Sequence, residues 1–117
     1  MALAKRIAVT LPAGPRIEDT VARIQWAEEQ GIADAWFSDS GAPDTLTQVA
    51  AIAHQTKNIR IGTAVTPVYT RSPSVLAASA NVIGQLLPDR FVMGLGSSSQ
   101  TIMGQFNGIP LDKPLTR

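Results

Sequence analysis

The segment Gly94–Ser99 combines two glycines with three consecutive serines, a combination that is typical of phosphate binding. Glycine lets backbone amides approach an anion closely, and serine hydroxyls add hydrogen-bond donors. A second polar segment, Thr66–Arg71, holds Tyr69 and Arg71 and also follows an apolar run. We predict that the serine segment binds the phosphate of a ligand, and the alternative is a plain solvated loop.

Both polar segments follow predicted strands. Apolar runs at 59–65 and 91–93 predict two strands, and Ser72-Pro73 predicts the start of a helix between them. A strand–helix–strand unit of this kind makes its two strands parallel. Ligands of α/β proteins bind at the carboxyl ends of parallel strands, so both segments lie where a site is expected.

The alternation of strand and helix extends over the rest of the chain. Apolar patterns predict further strands at 7–9 and 35–37 and helices at 17–31 and 43–58. The spacing of roughly 25–30 residues is that of a β/α unit. We therefore predict an α/β fold with one domain over residues 1–117, comprising four parallel strands, three complete helices and a carboxyl-terminal loop.

Composition excludes several classes of function. With a net charge of +1, 44% hydrophobic and 16% charged residues, the chain offers no electrostatic case for binding nucleic acid or an acidic membrane. No apolar run reaches the roughly 20 residues of a membrane span, and we expect no secretory signal. The absence of cysteine and the single histidine argue against a metal site. A cytoplasmic location is the prediction.

Several motifs in order resemble the amino-terminal half of the bacterial luciferase-like superfamily of flavin- and deazaflavin-dependent oxidoreductases. The matching segments are Ala35–Asp39, Ile61–Pro67, Arg71–Pro73, Asp89–Phe91 and Gly94–Gly96. The segments 97–99 and 107–110 are similar to those of the branch that uses coenzyme F-420. The resemblance covers the chain from about Ile7 to its carboxyl terminus.

The resemblance implies the first four strands of an eight-stranded TIM barrel. It also implies FMN or coenzyme F-420 as cofactor, bound at the carboxyl ends of the strands, and hydride transfer to or from a small-molecule substrate or oxygen activation, as in a monooxygenase. Asp39 is expected near the cofactor ring, and a non-prolyl cis peptide at Pro67–Val68 is expected to support it. The implied cofactor-binding residues are Asp39, Thr66, Pro67, Val68, Gly96, Ser97, Ser98 and Ser99, the three serines facing the phosphate-bearing tail.

Ser40 departs from the family pattern, because many relatives carry a catalytic histidine at this place. A serine without an adjacent base accepts no proton near neutral pH, so the catalytic residues stay unassigned. Gly94-x-Gly96 also resembles half of a dinucleotide fingerprint. Ser99 replaces the third glycine, however, and the motif follows the fourth strand instead of the first, which disfavours a nicotinamide site.

Four residues have ordinary structural interpretations beside the functional ones. Asp39 is either a ligand contact or a loop hydrogen-bonding group, and Arg71 either grips a phosphate or is a solvated surface group. Trp36 is predicted in the core, and Glu28 on a solvated helix face.

A non-catalytic half-barrel, acting only as an interaction or structural module, is the competing functional hypothesis. Four strands leave two unpaired edges and an apolar sheet face without a partner. We therefore expect either a missing carboxyl-terminal half of the barrel in a longer polypeptide or a homo-oligomer in which two copies complete the barrel.

Overall fold

The computed structural model of the protein describes residues 6–39, 43–97, 103 and 108. Four strands alternate with three α-helices within these residues. In chain order they are β1 (Ala8–Thr10), α1 (Ile17–Glu29), β2 (Asp34–Phe37), α2 (Thr45–Ile52), β3 (Arg60–Pro67), α3 (Pro73–Leu86) and β4 (Phe91–Gly96). A short 3-10 helix, Ala53–Gln55, follows α2 directly.

The four strands form one parallel sheet in the order β1-β2-β3-β4. Val9 lies beside Ala35, which lies beside Ile61, and Ile61 lies beside Phe91 in turn. The sequential order of parallel strands, with a helix in each connection, confirms the α/β fold class predicted from the alternating pattern.

One face of the sheet packs on the helices and forms the core. Ala35, Phe37 and Ile61 point to this face and are at most 1% exposed. They join a buried cluster with helix residues that include Ile24, Val49, Ile52 and Ile83. Because side chains alternate along a strand, the residues between them lie on the opposite face. We call this opposite side the open face.

Trp36 lies on the open face, where it is half-buried, and so the prediction of a core position for it is wrong. The alternation that buries Ala35 and Phe37 directs Trp36 away from the helices. The guanidinium of Arg60 lies 5.9 Å from the centre of its ring, a cation–π distance. The ring also occupies the space where a Cβ of Gly62 would stand.

Side-chain caps fix the starts of α2 and α3. The Asp44 carboxylate accepts a hydrogen bond from the Thr47 amide at 3.2 Å, and the Ser72 hydroxyl accepts one from the Val75 amide at 3.2 Å. Gly31 follows α1 with a φ of +77°, as expected for a residue that ends a helix. The α2 helix ends at Ile52, earlier than the predicted Asn58, because the 3-10 helix follows it.

Glu28 fastens the end of α1 to the loop before β3, which corrects its prediction as a solvated residue. Its carboxylate accepts hydrogen bonds from the consecutive amides of Lys57, Asn58 and Ile59 at 2.6–3.0 Å. Burial raises the pKa of Glu28, but these bonds outweigh burial and leave the pKa lowered.

The non-prolyl cis peptide lies at Ala64–Val65, inside β3, and not at the predicted Pro67–Val68. The ladder between β3 and β4 shifts register between Thr63 and Thr66, so the irregularity precedes the strand end. Regular pairing then resumes, since Pro67 lies beside Gly96 and the Val68 amide donates to the Gly96 carbonyl at 2.9 Å. β3 therefore ends at the step where the sequence predicted a distortion, and Val68 is still hydrogen-bonded to the end of β4 there.

Candidate functional site

The parallel sheet brings several of the predicted site residues to one edge. Thr66 and Pro67 end β3, Gly96 ends β4, and Val68 and Ser97 follow these two strands. The hydrogen bond from Val68 to Gly96 joins the two strand ends directly. Asp39 follows β2 at the same edge, while the predicted residues Ser98 and Ser99, and also Ser40, lie outside the described residues.

The accessible surface differs among these residues. Thr66 and Pro67 are fully enclosed, whereas Val68, Gly96 and Ser97 are partly exposed. Within the described part of the chain, the buried Thr66 hydroxyl has no hydrogen-bond partner. A buried hydroxyl without a partner costs free energy, and such groups are found where a ligand or water completes the bonding.

Gly94 and Gly96 lie within β4 and not in the loop predicted for them. A Cβ on Gly96 would stand 2.6 Å from Cγ2 of Val65, and one on Gly94 would overlap the carbonyl oxygen of Thr63. The two glycines therefore allow β3 and β4 to approach each other around the register shift. Their absent side chains also leave Val65 standing on the open face, 40% exposed.

Val65 was not among the cofactor-binding residues predicted from the sequence. It is an apolar surface beside Gly96 at the carboxyl end of the sheet, and such a surface suits a flat ring. The Gly-x-Gly pair was the available signal, because glycines in a strand mark a close approach. The register shift in β3 decides which residue meets them, and the sequence does not reveal that shift.

Asp39, Arg71 and Asp44 form an ion cluster at the same edge. Nη1 of Arg71 donates to Oδ2 of Asp39 at 2.8 Å, and Nη2 donates to Oδ1 of Asp44. The side chain of Asp39 is 1% exposed and that of Arg71 is 13% exposed. Arg71 is therefore not a solvated group, and its two nitrogens hold carboxylates in this structure.

Burial and bonding act in opposite directions on the cluster. Burial lowers the pKa of Arg71, but the hydrogen bonds to Asp39 and Asp44 raise it by more. Burial raises the pKa of Asp44, but bonds from Thr47 and Arg71 leave it lowered. Arg71 and Asp44 therefore both stay charged near neutral pH, and neither exchanges protons there.

A large cavity of about 750 Å³ lies beside the loop after β3, on the helix side of the sheet. Leu76, Ala77 and Ala80 of α3 line it together with Met93 and Leu95 of β4, and residues 68–73, which include Val68 and Arg71, complete the lining. The lining is mainly apolar, and Met93 packs against the helix-side core. A cavity between a helix and an edge strand suits another packed helix better than a charged ligand.

Two structural features are absent from residues 6–39 and 43–97. No group of three or more metal-ligating side chains comes together there. None of the helices in these ranges has the length and apolar character required to cross a membrane.

The residues at the carboxyl edge fit a flavin-type cofactor with a phosphate-bearing tail. Val65 offers an exposed apolar surface, and the partly exposed Ser97 adds a hydroxyl beside the end of β4. The buried Thr66 hydroxyl still has bonding capacity within the described residues. An apolar surface with a few polar groups beside it is the usual composition of a cofactor site.

Comparison with known proteins gives matches to one group of enzymes. A family model described as luciferase-like monooxygenase matches residues 1–117. The chain is 32% identical over 91 residues to 5,10-methylenetetrahydromethanopterin reductase from Methanolobus tindarius. That match covers 77% of this chain and 28% of the relative. The chain therefore spans less than a third of the length of this relative.

Solved structures share the fold at lower sequence identity. The coenzyme F-420-dependent tetrahydromethanopterin reductase from Methanopyrus kandleri superposes with a TM-score of 0.80 at 20% identity, covering 87% of this chain and 30% of that one. The oxygenating constituent of 3,6-diketocamphane monooxygenase from Pseudomonas putida, in complex with FMN, gives a TM-score of 0.78 at 21% identity. It covers 92% of this chain and 33% of that one.

Proposed function

This chain belongs to the luciferase-like monooxygenase family, and on that basis we propose that the protein is an oxidoreductase that works through a bound flavin or deazaflavin. The resemblance stated from the sequence motifs is thereby confirmed. The four parallel strands correspond to the first half of the TIM barrel of these enzymes. The relative from Methanopyrus kandleri is named as dependent on coenzyme F-420, and the one from Pseudomonas putida is in complex with FMN.

The observation that carries the proposal is the meeting of Val65, Gly96 and Ser97 at the carboxyl edge of the sheet. We assign the cofactor ring to the exposed surface of Val65 and its phosphate-bearing tail to Ser97, Ser98 and Ser99. Asp39, Thr66, Pro67 and Val68 border the same site. The cofactor supplies hydride transfer or oxygen activation when bound, and the protein supplies shape, orientation and phosphate donors.

The proposal is tested by titrating the purified chain with FMN and, separately, with coenzyme F-420, followed by absorbance and fluorescence. We expect one of the two to bind and Ser97→Ala to weaken it, because one phosphate donor is lost. Ser79→Ala, on α3, is the matched control and leaves binding unchanged. A folded wild-type sample that binds neither cofactor contradicts the proposal and favours a half-barrel that acts only through interaction.

The open face supports a second part of the proposal, namely that further strands cover it. Ala8, Thr10, Ala64 and Val65 are all exposed there. Among the described strands, β1 and β4 are each paired on one side only. We propose that either the remainder of a longer polypeptide or a second copy of this chain covers them. Light scattering measures the mass of the purified protein in solution. A stable, cooperatively unfolding monomer of 12.4 kDa contradicts both the longer polypeptide and the pairing of two copies.

A further inference from the structure

Arg71 is an enclosed arginine at the carboxyl edge, and the proposed cofactor site gives it no role. Its side chain is only 13% exposed, although it belongs to a loop. One terminal nitrogen donates to Asp39 at 2.8 Å and the other donates to Asp44. A guanidinium held at both nitrogens has a fixed plane as well as a fixed position.

Asp39 depends on this contact, because its carboxylate is almost completely enclosed. A buried carboxylate without a charged partner is strongly destabilising, and Arg71 is such a partner at 2.8 Å. Arg71 is one residue before Ser72, the cap of α3, whereas Asp39 follows β2. The ion pair therefore joins the loop after β2 to the loop after β3, across the edge where the cofactor site is proposed.

Asp44 fixes the other end of the guanidinium. Its carboxylate also accepts hydrogen bonds from the amide and the hydroxyl of Thr47, as the cap of α2. Arg71 is thus attached to the capped start of α2, through a carboxylate whose side chain is 51% exposed. Two of the five N–H groups of Arg71 are therefore committed to carboxylates that are already in place.

We propose that Arg71 is a positioning residue: it fixes the carboxylate of Asp39 at the cofactor site and does not bind the phosphate of the cofactor. This inference rests on the proposed function. It assigns to the pair Arg71–Asp39 the task of holding two neighbouring loops in one arrangement. Asp39 meets the cofactor environment, and Arg71 acts through Asp39.

The first experiment needs no cofactor. Thermal unfolding is measured for the wild type, Arg71→Met, Asp39→Asn and the double variant. Arg71→Met lowers the melting temperature by roughly 5–10 °C, because it leaves a buried carboxylate without its partner. Adding Asp39→Asn recovers at least half of that loss. The inference is overturned if the melting temperature of the double variant falls by the sum of the two single losses, because the two side chains are then not coupled.

Arg16→Met is the matched control for this cycle. Arg16 also pairs with an acidic side chain, Glu18, at 3.3 Å, but these side chains are 74% and 67% exposed. An exposed pair contributes little, so the melting temperature changes by less than about 2 °C. This control separates the loss of an enclosed pair from the general loss of an arginine.

The second experiment distinguishes positioning from phosphate binding. Dissociation constants of the wild type and Arg71→Lys are measured for FMN and riboflavin, and for coenzyme F-420 and its deazaflavin without the phosphate tail. Lysine keeps the charge but cannot bridge two carboxylates, so binding weakens about tenfold. The inference requires the same loss, within about twofold, for the forms with and without phosphate.

Two results of this experiment overturn the inference. One is a loss confined to the phosphate-bearing forms, which makes Arg71 a direct phosphate ligand. The other is unchanged binding in Arg71→Lys. If the wild type binds neither flavin nor deazaflavin, the proposed function fails instead, and the thermal cycle alone decides whether Arg71 holds Asp39.

Discussion

The two edges of the sheet carry ion clusters of opposite composition. At the amino edge one aspartate, Asp34, is paired with two arginines, Arg6 and Arg60. At the carboxyl edge one arginine, Arg71, is paired with two aspartates. The arginines of the amino edge are 59% and 35% exposed, whereas Arg71 is 13% exposed. The side chain that bonds both partners is the enclosed anion Asp34 at the amino edge and the enclosed cation Arg71 at the carboxyl edge.

This difference determines what happens when one member is lost. Asp34 accepts bonds from Arg6 at 2.8 Å and from Arg60 at 2.7 Å, so either arginine can pair with it alone. Among the described residues, Asp39 has no second arginine partner. The amino edge therefore has a reserve of charge and tolerates substitution, as a structural cluster does. The carboxyl edge depends on one side chain at the place where the cofactor is proposed to bind.

The largest expected effect is that of Arg71→Met. We expect the free energy of unfolding to fall by about 3 kcal/mol, because the change leaves a buried carboxylate without its ion pair. This is a large share of the roughly 5–15 kcal/mol that stabilises a typical domain. Urea unfolding followed by circular dichroism measures it. A loss of unfolding free energy under about 1 kcal/mol would show that the carboxyl edge tolerates substitution as well as the amino edge does, which contradicts the difference between them.

The next largest effect separates the two roles of Asp44, as the cap of α2 and as the second partner of Arg71. Asp44→Ala removes both the cap of α2 and the second partner of Arg71, and we expect a loss of about 1–2 kcal/mol. Asp44→Asn keeps an oxygen for the Thr47 amide and removes only the charge, so its loss is smaller. Urea unfolding of both variants compares them. Equal losses would show that the charge contributes more than the cap.

The elements of this fold were predictable because they depend on local patterns. Alternation of apolar runs and helical periods gave the order of strands and helices along the chain, and Ser72-Pro73 marked a helix start that the structure confirms. Trp36 was misplaced because an apolar strand of four residues does not show which of its side chains face the helices. Only the sheet register decides that.

The contacts between loops were not predictable, because they join residues far apart in the chain. Arg71 and Asp39 are 32 positions apart, and Glu28 reaches amides 29–31 positions away. No periodicity records such a pairing. The position of the cis peptide was missed for a similar reason, since the register shift at Thr63 depends on how β4 lies beside β3.

A smaller effect is expected at the amino edge from Arg60→Met. Arg6 still pairs with Asp34, so the loss is the second bond to Asp34 and the contact with the Trp36 ring. We expect the loss of both contacts to lower the free energy of unfolding by about 0.5–1 kcal/mol. Urea unfolding of Arg60→Met and Arg71→Met under the same conditions compares the losses of unfolding free energy at the two edges. A loss as large as that of Arg71→Met would show that Arg6 cannot replace Arg60.

A further expected effect is a change in the acid sensitivity of stability caused by Asp34→Asn. The hydrogen bond from Arg6 lowers the pKa of Asp34 to about 2, with Arg60 adding to the shift against the opposing effect of burial. Because the pKa in the folded protein lies below the ordinary value of 3.8, the stability that Asp34 contributes is complete above about pH 4. That contribution is lost as the pH falls toward 2.

The melting temperature of Asp34→Asn should therefore fall less steeply than that of the wild type between pH 4 and 2. The two curves approach each other on the acid side and separate above pH 4. Some acid sensitivity persists in the variant, because the pKa values of Asp44 and Glu28 are also lowered. Calorimetry across this range measures the difference in slope. Parallel curves would mean that Asp34 is not held by its two arginines, and the amino edge would then lack the reserve that distinguishes it from the carboxyl edge.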